Sequence, residues 1–225
     1  IQVELVQAQS NDYILTTDRN LVSVVDFKVT DSVLRISTNM EVTSAKALSV
    51  YLKLQNPKHV ILKNDSDIET PGQIEVPEFT VTAASSSEID VNLTTTKSQI
   101  NLRENAKGQL NIRTEQLEVK MSDRTDLKGK FTAQSARVTM GGSAEFNPRG
   151  KTASLNLALT GKADYKGDDF DSKNTSATLS DRSNAAVSAE ESLSVFAQDK
   201  AVINVYGKPD ISVKALNDDA QINKK

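Results

Sequence analysis

The sequence predicts an all-β fold, a solenoid of about eight stacked nineteen-residue coils with an N-terminal β cap, and three observations carry that prediction. The first is self-similarity: one nine-residue phrase begins at Val60, Val81, Ile100, Val119, Val138, Leu157, Ala177 and Val195. A fixed period of this kind marks stacked units. The second is the alternation inside the phrase. Its first and third positions are apolar, as a strand with one buried face requires, whereas helical repeats need apolar residues three and four apart. The third is the seventh position, Ser66, Ser87, Ala106, Thr125, Ala144, Ala163, Ser183 and Ala201, small in every copy. A sharp corner aimed into a crowded interior has room for nothing larger. A propeller blade needs about forty residues or more, and no leucine-rich signature is present.

Taken in chain order, residues 1–55 read as strands without the nineteen-residue rhythm, at 3–7, 13–16, 22–29 and 33–37. Ser10-Asn11-Asp12, Asp18-Arg19-Asn20 and Asp31-Ser32 break them, and Leu48, Val50, Leu52 and Leu54 alternate into the first repeat. This segment is the expected cap, because an open β-edge templates aggregation. Residues 56–209 hold the coils. At roughly 4.8 Å per coil, eight of them make a rod roughly 38 Å long. The fifth position of the phrase is Asn64, Ser85, Glu104, Asp123, Gly142, Gly161, Asp181 and Asp199. All but Glu104 are types that tolerate tight turns or bond their own backbone. In the third copy Gly108 stands where an apolar residue is due, so a bulge is expected to bring Leu110 into its place. After the last strand, 202–206, Gly207-Lys208-Pro209 turns the chain and 210–225 is expected to be a frayed tail. The whole of 1–225 counts as one domain.

Composition fits a slim exposed rod: hydrophobic residues make up 37%, aromatics 4%, and Trp is absent. The absence of Cys excludes disulfides and any thiolate metal or redox site. The net charge of −3, with no basic run, excludes a nucleic-acid partner, and no stretch reads as a membrane span. Because the chain opens on Ile1, a leader is expected to have been removed.

Val3-Glu4-Leu5-Val6-Gln7, the phrase Val29-Thr30-Asp31-Ser32-Val33-Leu34-Arg35-Ile36, the stacked repeats and the closing Asn204-Val205-Tyr206-Gly207-Lys208-Pro209 resemble the autotransporter-adhesin head domain called the GIN domain. The resemblance covers essentially the whole chain. Departures lie at Ala8, where a Gly is expected, and at corners where Ser, Asp and Thr replace Gly. The resemblance implies a right-handed parallel β-helix, a Bacteroidetes-type source, export to the envelope or beyond, and an adhesin-like role. It carries over no catalytic residue.

Candidate sites lie in the outward columns. The eighth position reads Asp67, Glu88, Lys107, Asp126, Glu145, Asp164, Asn184 and Val202, which stacks Asp126, Glu145 and Asp164 on consecutive coils about 5 Å apart. Ca²⁺ would relieve their repulsion. The plainer expectation is a solvated ladder neutralised by Arg124, Lys162, Arg182 and Lys200 at the sixth position. Asp168, Asp169 and Asp171 form a second acidic group, expected at a loop tip between coils, where function concentrates. The single His, His59, falls beside the cap as a turn or surface residue. No catalytic residue, metal ligand or cofactor is assigned. The expected function is non-enzymatic binding of a surface glycan or another envelope protein, with the oligomeric state left open. A pectinase-like carbohydrate-active enzyme and a purely structural envelope module are the alternatives.

Overall fold

The computed structural model describes residues 1–225. The chain begins with β1 (Gln2–Gln7), β2 (Asp12–Thr17), a single 3-10 turn (Arg19–Leu21), β3 (Val25–Thr30), β4 (Val33–Thr38) and β5 (Leu48–Leu54). Short strands then alternate: β6 (His59–Leu62), β7 (Asp67–Glu75), β8 (Glu78–Ala83), β9 (Glu88–Thr94), β10 (Lys97–Leu102), β11 (Lys107–Arg113) and β12 (Gln116–Met121). Four long strands follow, β13 (Asp126–Met140), β14 (Glu145–Leu159), β15 (Asp164–Leu179) and β16 (Asn184–Ala197), each bending from one side of the rod to the other. The chain closes with β17 (Val202–Gly207), β18 (Asp210–Leu216) and β19 (Gln221–Lys224). No helix is long and apolar enough to cross a membrane.

Seventeen strands hydrogen-bond into one continuous sheet wrapped around the core, and β3 and β4 form a separate hairpin. One side of the rod stacks β6, β8, β10 and β12 in parallel and continues through the second halves of β13 to β16 into β18. The other side stacks β5, β1, β7, β9 and β11, then the first halves of β13 to β16, then β17 and β19. Between them lies a single cluster of 47 buried residues. The first and third columns of the phrase supply one wall of it, with Val81, Ile100, Val119, Val138, Leu157 and Val195 at most 1% exposed. The seventh column is buried too, from Ser87 and Ala106 to Ser183 and Ala201. Where it is Ser or Thr, the hydroxyl donates to the carbonyl three residues back, as Ser87 does to Ala84 (2.9 Å) and Thr125 to Ser122 (3.1 Å).

Every corner is the same tight turn, with φ between 56° and 72° at Asn64, Ser85, Glu104, Asp123, Gly142, Gly161, Asp181, Asp199 and Asp218. Those are nine corners, one more than the sequence expectation. The ninth coil also replaces the expected frayed tail, since β18 pairs with β16 and β19 with β17. A bulge hid it. In β18 the extra residue Lys214 occupies the first position of the phrase while Val213 pairs with Val195, so the apolar signature slips by one residue. Gly108 is a second correction: it pairs in register with Ile89 and Leu127, without a bulge. Leu127 fills the space instead, its Cδ1 lying 2.8 Å from where a Gly108 Cβ would stand.

The N-terminal segment is wound into the rod more tightly than a separate cap. β1 lies between β5 and β7, parallel to both, and β2 runs antiparallel along the far edge of β5. The Gln7 side chain extends the β1–β7 ladder by mimicking a peptide group. It donates to the Glu75 carbonyl (3.0 Å) and accepts from the Glu75 N–H (2.7 Å). The β3–β4 hairpin folds over this end with Phe27, Leu34 and Ile36 against the core, and Phe27 stacks on Tyr13 at 4.0 Å.

Candidate functional site

Opposite the tight corners, each coil makes a second bend, and buried hydroxyls hold it. Thr95 Oγ1 meets Ser98 Oγ at 2.7 Å and donates to Thr114 Oγ1 at 2.9 Å. Thr114 and Thr152 donate to the carbonyls of Gln116 (3.1 Å) and Ser154 (3.0 Å), and Ser172 bonds Thr175 and the Ser188 carbonyl. These contacts satisfy polar groups that would otherwise be costly to bury, and they set the bend at the same place on the rungs of Thr95, Thr114, Thr152 and Ser172, with Ala133 interrupting the column in β13. Alongside it, on the β10–β12 side, a half-open trough of about 570 Å³ runs over five rungs. Its polar lining includes Lys97, Gln116, Glu118, Arg137, Asn156 and Asn174.

The charges in this trough are unequally engaged. Glu118 accepts from Lys120 at 2.7 Å and from Gln99 at 3.0 Å, and these bonds, the Lys120 one foremost, hold its carboxyl below the ordinary carboxylate range. It is therefore ionised and already answered. The other ion pairs of the protein are Arg149–Asp169, Lys166–Glu145, Lys166–Asp164 and Lys173–Glu191, so Lys97 and Arg137 have no carboxylate partner.

The predicted acidic stack forms on the opposite side. Asp126 pairs in register with Glu145, and Glu145 with Asp164. Its neutralising partner differs from the expected sixth-position cations, none of which pairs with it. Lys166, two residues along β15, bonds Glu145 and lies 3.7 Å from Asp164, and Asn184 donates to Asp164 at 2.8 Å. The Glu145 bond is the main reason the Lys166 ammonium is held above its ordinary value. Asp168 and Asp169 lie in a bulge inside β15, not at a loop tip between coils. Phe170 must reach the core opposite Gly150, which throws the flanking acids outward. Asp169 faces Arg149 at 3.8 Å across exposed surface, and Asp171 accepts from Ser188 at 2.8 Å. The structure thus keeps the two predicted groups apart. His59 is exposed at the start of β6. Nowhere do three His, Asp or Glu side chains converge as a set that could hold a metal ion.

Sequence inspection missed a denser acidic patch. Asp67, Glu69, Glu88 and Asp90 on β7 and β9 line a second trough of about 400 Å³ beside Lys107 and Asp126. The eighth column announced Asp67 and Glu88; tabulating the tenth would have added Glu69 and Asp90. It also missed the β10–β12 trough, because the hydroxyls and amides that shape it look like ordinary surface until the register places them together.

Fold and surface define an all-β solenoid whose polar sides are stacked rung on rung. The chain belongs to the family described as "Putative auto-transporter adhesin, head GIN domain", whose model matches residues 1–110 and again 98–209. Among solved structures, a "putative adhesin" from Parabacteroides merdae is similar with a TM-score of 0.74 at 14% identity, covering 100% of this chain and 87% of that one. A "putative adhesin" from Parabacteroides distasonis gives a TM-score of 0.67 at 16% identity, over 100% and 89%. A "putative lipid binding protein" from the same species gives 0.66 at 14%, over 100% and 88%. At these identities the likeness shows the fold. No curated protein matches the chain.

Proposed function

We propose that this chain is an exported surface protein of the adhesin kind, which holds a surface glycan along the side of its rod without cleaving it. Family membership supports export and adhesion. The observation that carries the binding role is the trough over β10 to β15, a long surface lined by amides, hydroxyls and two cations without carboxylate partners. Sugars present hydroxyls in rows, and such a lining meets them with hydrogen bonds. The state of Glu118 speaks against turnover there. Glycoside cleavage needs a carboxylic acid with a proton to give, whereas Glu118 is held ionised by Lys120 and Gln99. On the other side, Lys166 occupies Glu145 and Asp164 in the same way.

The test is a glycan array probed with the 225-residue chain, run beside a reducing-sugar assay on every glycan retained. Retention with no sugar release is the expected outcome. Sugar release that disappears in Asp164→Asn, or in Asp67→Asn at the second trough, would replace this proposal with an enzymatic one.

A further inference from the structure

We infer that the ligand of the β10–β12 trough is an acidic polysaccharide, a uronate- or sulfate-bearing chain lying along the rod axis with its anionic groups on Arg137 and Lys97. This inference rests on the binding role proposed above and specifies the chemistry of that site. Three observations support it. Arg137 and Lys97 are the cations of the trough, and neither has an ion-pair partner, while Glu118 is already engaged by Lys120 and Gln99. Glu118 stands opposite Arg137 on the next rung and attracts it without forming an ion pair, so an anion entering the trough meets unbonded donors and competes only with that attraction. A planar guanidinium suits carboxylate and sulfate oxygens because it can present two parallel N–H groups.

Spacing is the second observation. Lys97 lies on β10 and Arg137 on the second half of β13, two rungs further along, with β12 between them. Two rungs make about 9 to 10 Å along the axis. A polymer with one charge per disaccharide repeat can reach both cations while lying over Gln116, Asn156 and Asn174. The first and last of these amides sit in the same outward column as Lys97, and Asn156 sits in that of Arg137.

The third observation is what the trough lacks for other polymers. An acidic peptide would want a free strand edge or an apolar pocket for its side chains. Here β10, β12 and the halves of β13 and β14 are hydrogen-bonded on both edges. A single-stranded nucleic acid would want aromatic platforms, and the lining contains none.

The experiment is calorimetric titration of the full chain with polygalacturonate, dextran sulfate, neutral dextran and poly-glutamate, repeated at raised salt. Polygalacturonate or dextran sulfate is expected to bind, weakening with salt, and the stronger of the two identifies the anionic group. The double variant Arg137→Ala, Lys97→Ala is expected to lose about tenfold or more in affinity, while Lys162→Ala, at a tight corner, keeps it. Glu118→Gln should tighten binding by removing the one negative charge in the trough. Melting curves check that the variants fold; none of the four substituted residues is buried. Equal binding by the double variant and the parent would overturn the site, and preference for poly-glutamate would overturn the ligand class. Binding to neutral glycans alone would overturn this inference yet leave the broader binding role standing. No retention of any glycan would remove both.

Discussion

Tyr165 is the largest fully buried side chain, and its hydroxyl has no hydrogen-bond partner. The ring is well placed, edge-on to Phe146 at 5.8 Å as Phe146 is to Phe131 at 5.3 Å. Gly167 makes room for it, since a Cβ there would stand 2.2 Å from the ring. The hydroxyl alone is misplaced, and burial pushes its pKa far up. Tyr165→Phe should therefore stabilise the protein by about 1 kcal/mol, the cost of an unmatched buried polar group, read as a higher urea midpoint with unchanged slope. Asp67 carries a smaller penalty of the same origin. Desolvation raises its carboxyl above the ordinary value, with Glu88 and Asp65 adding to the rise and the Ile1 ammonium and the Glu88 backbone opposing it. A raised carboxylate pKa means that the folded state binds the proton more tightly than the unfolded state. The penalty is then present at neutral pH and relieved as pH falls through the folded value. Asp67→Asn should raise the melting temperature at pH 7, and the gap from the parent should close as pH approaches about 4.

At the scale of the element, the tight corner decides much of the stability. Each corner needs one residue at positive φ, which costs an L-residue about 1 to 2 kcal/mol. Aspartate offsets this by reaching along the rod: Asp123 accepts from the Glu104 N–H (3.1 Å), Asp181 from Gly161 (2.9 Å), Asp199 from Asp181 (3.0 Å) and Asp218 from Asp199 (3.3 Å). Glutamate at 104, φ 65°, accepts from the Ser85 hydroxyl (2.9 Å) instead of the backbone N–H, an exposed bond. Glu104→Gly should stabilise by roughly 0.5 kcal/mol, the strain relieved less the added chain entropy and the exposed Ser85 bond lost. Gly142→Ala should destabilise by roughly 1 to 2 kcal/mol, because its Cβ would lie 2.8 Å from the Asp123 backbone nitrogen. Chemical denaturation of the two variants in parallel checks the opposite signs. The turn propensity of this column was legible from residue types alone, as were the buried first, third and seventh columns. The carboxylate ladder was not, because it joins residues about nineteen apart and depends on register. Gly108 misled for a related reason: its vacancy is filled by Leu127 from the next rung, a compensation that a single copy of the phrase cannot display. The Thr and Ser of the second bend gave no signal, since buried and exposed hydroxyls look alike in a sequence.

Across the whole molecule, each rung touches only its neighbours, so stability is a sum of local terms and must fall towards the ends. The central rungs, β10 to β16, have a neighbour on both edges. The last strands, β18 and β19, have one. Hydrogen exchange should thus be slowest through residues 97–197 and faster in β18, β19 and the β3–β4 hairpin. Uniform protection would instead mean that the rod opens as one unit.

The position of β1 bears on how the rod carries load. Six residues of β1 pair with β5 and three with β7. Freeing β1 from residue 1 would break its ladders with both β5 and β7, so this end is held from two sides. Residue 225 follows β19, a strand held along one edge only, which tension can peel away bond by bond. Attachment at the two termini is therefore mechanically unequal. In a force spectrometer, with an internal crosslink fixing the middle of the rod, the end that starts the chain should yield at the higher force. A tether at that end would hold the molecule firmly, whereas a pull at the other would unravel it rung by rung.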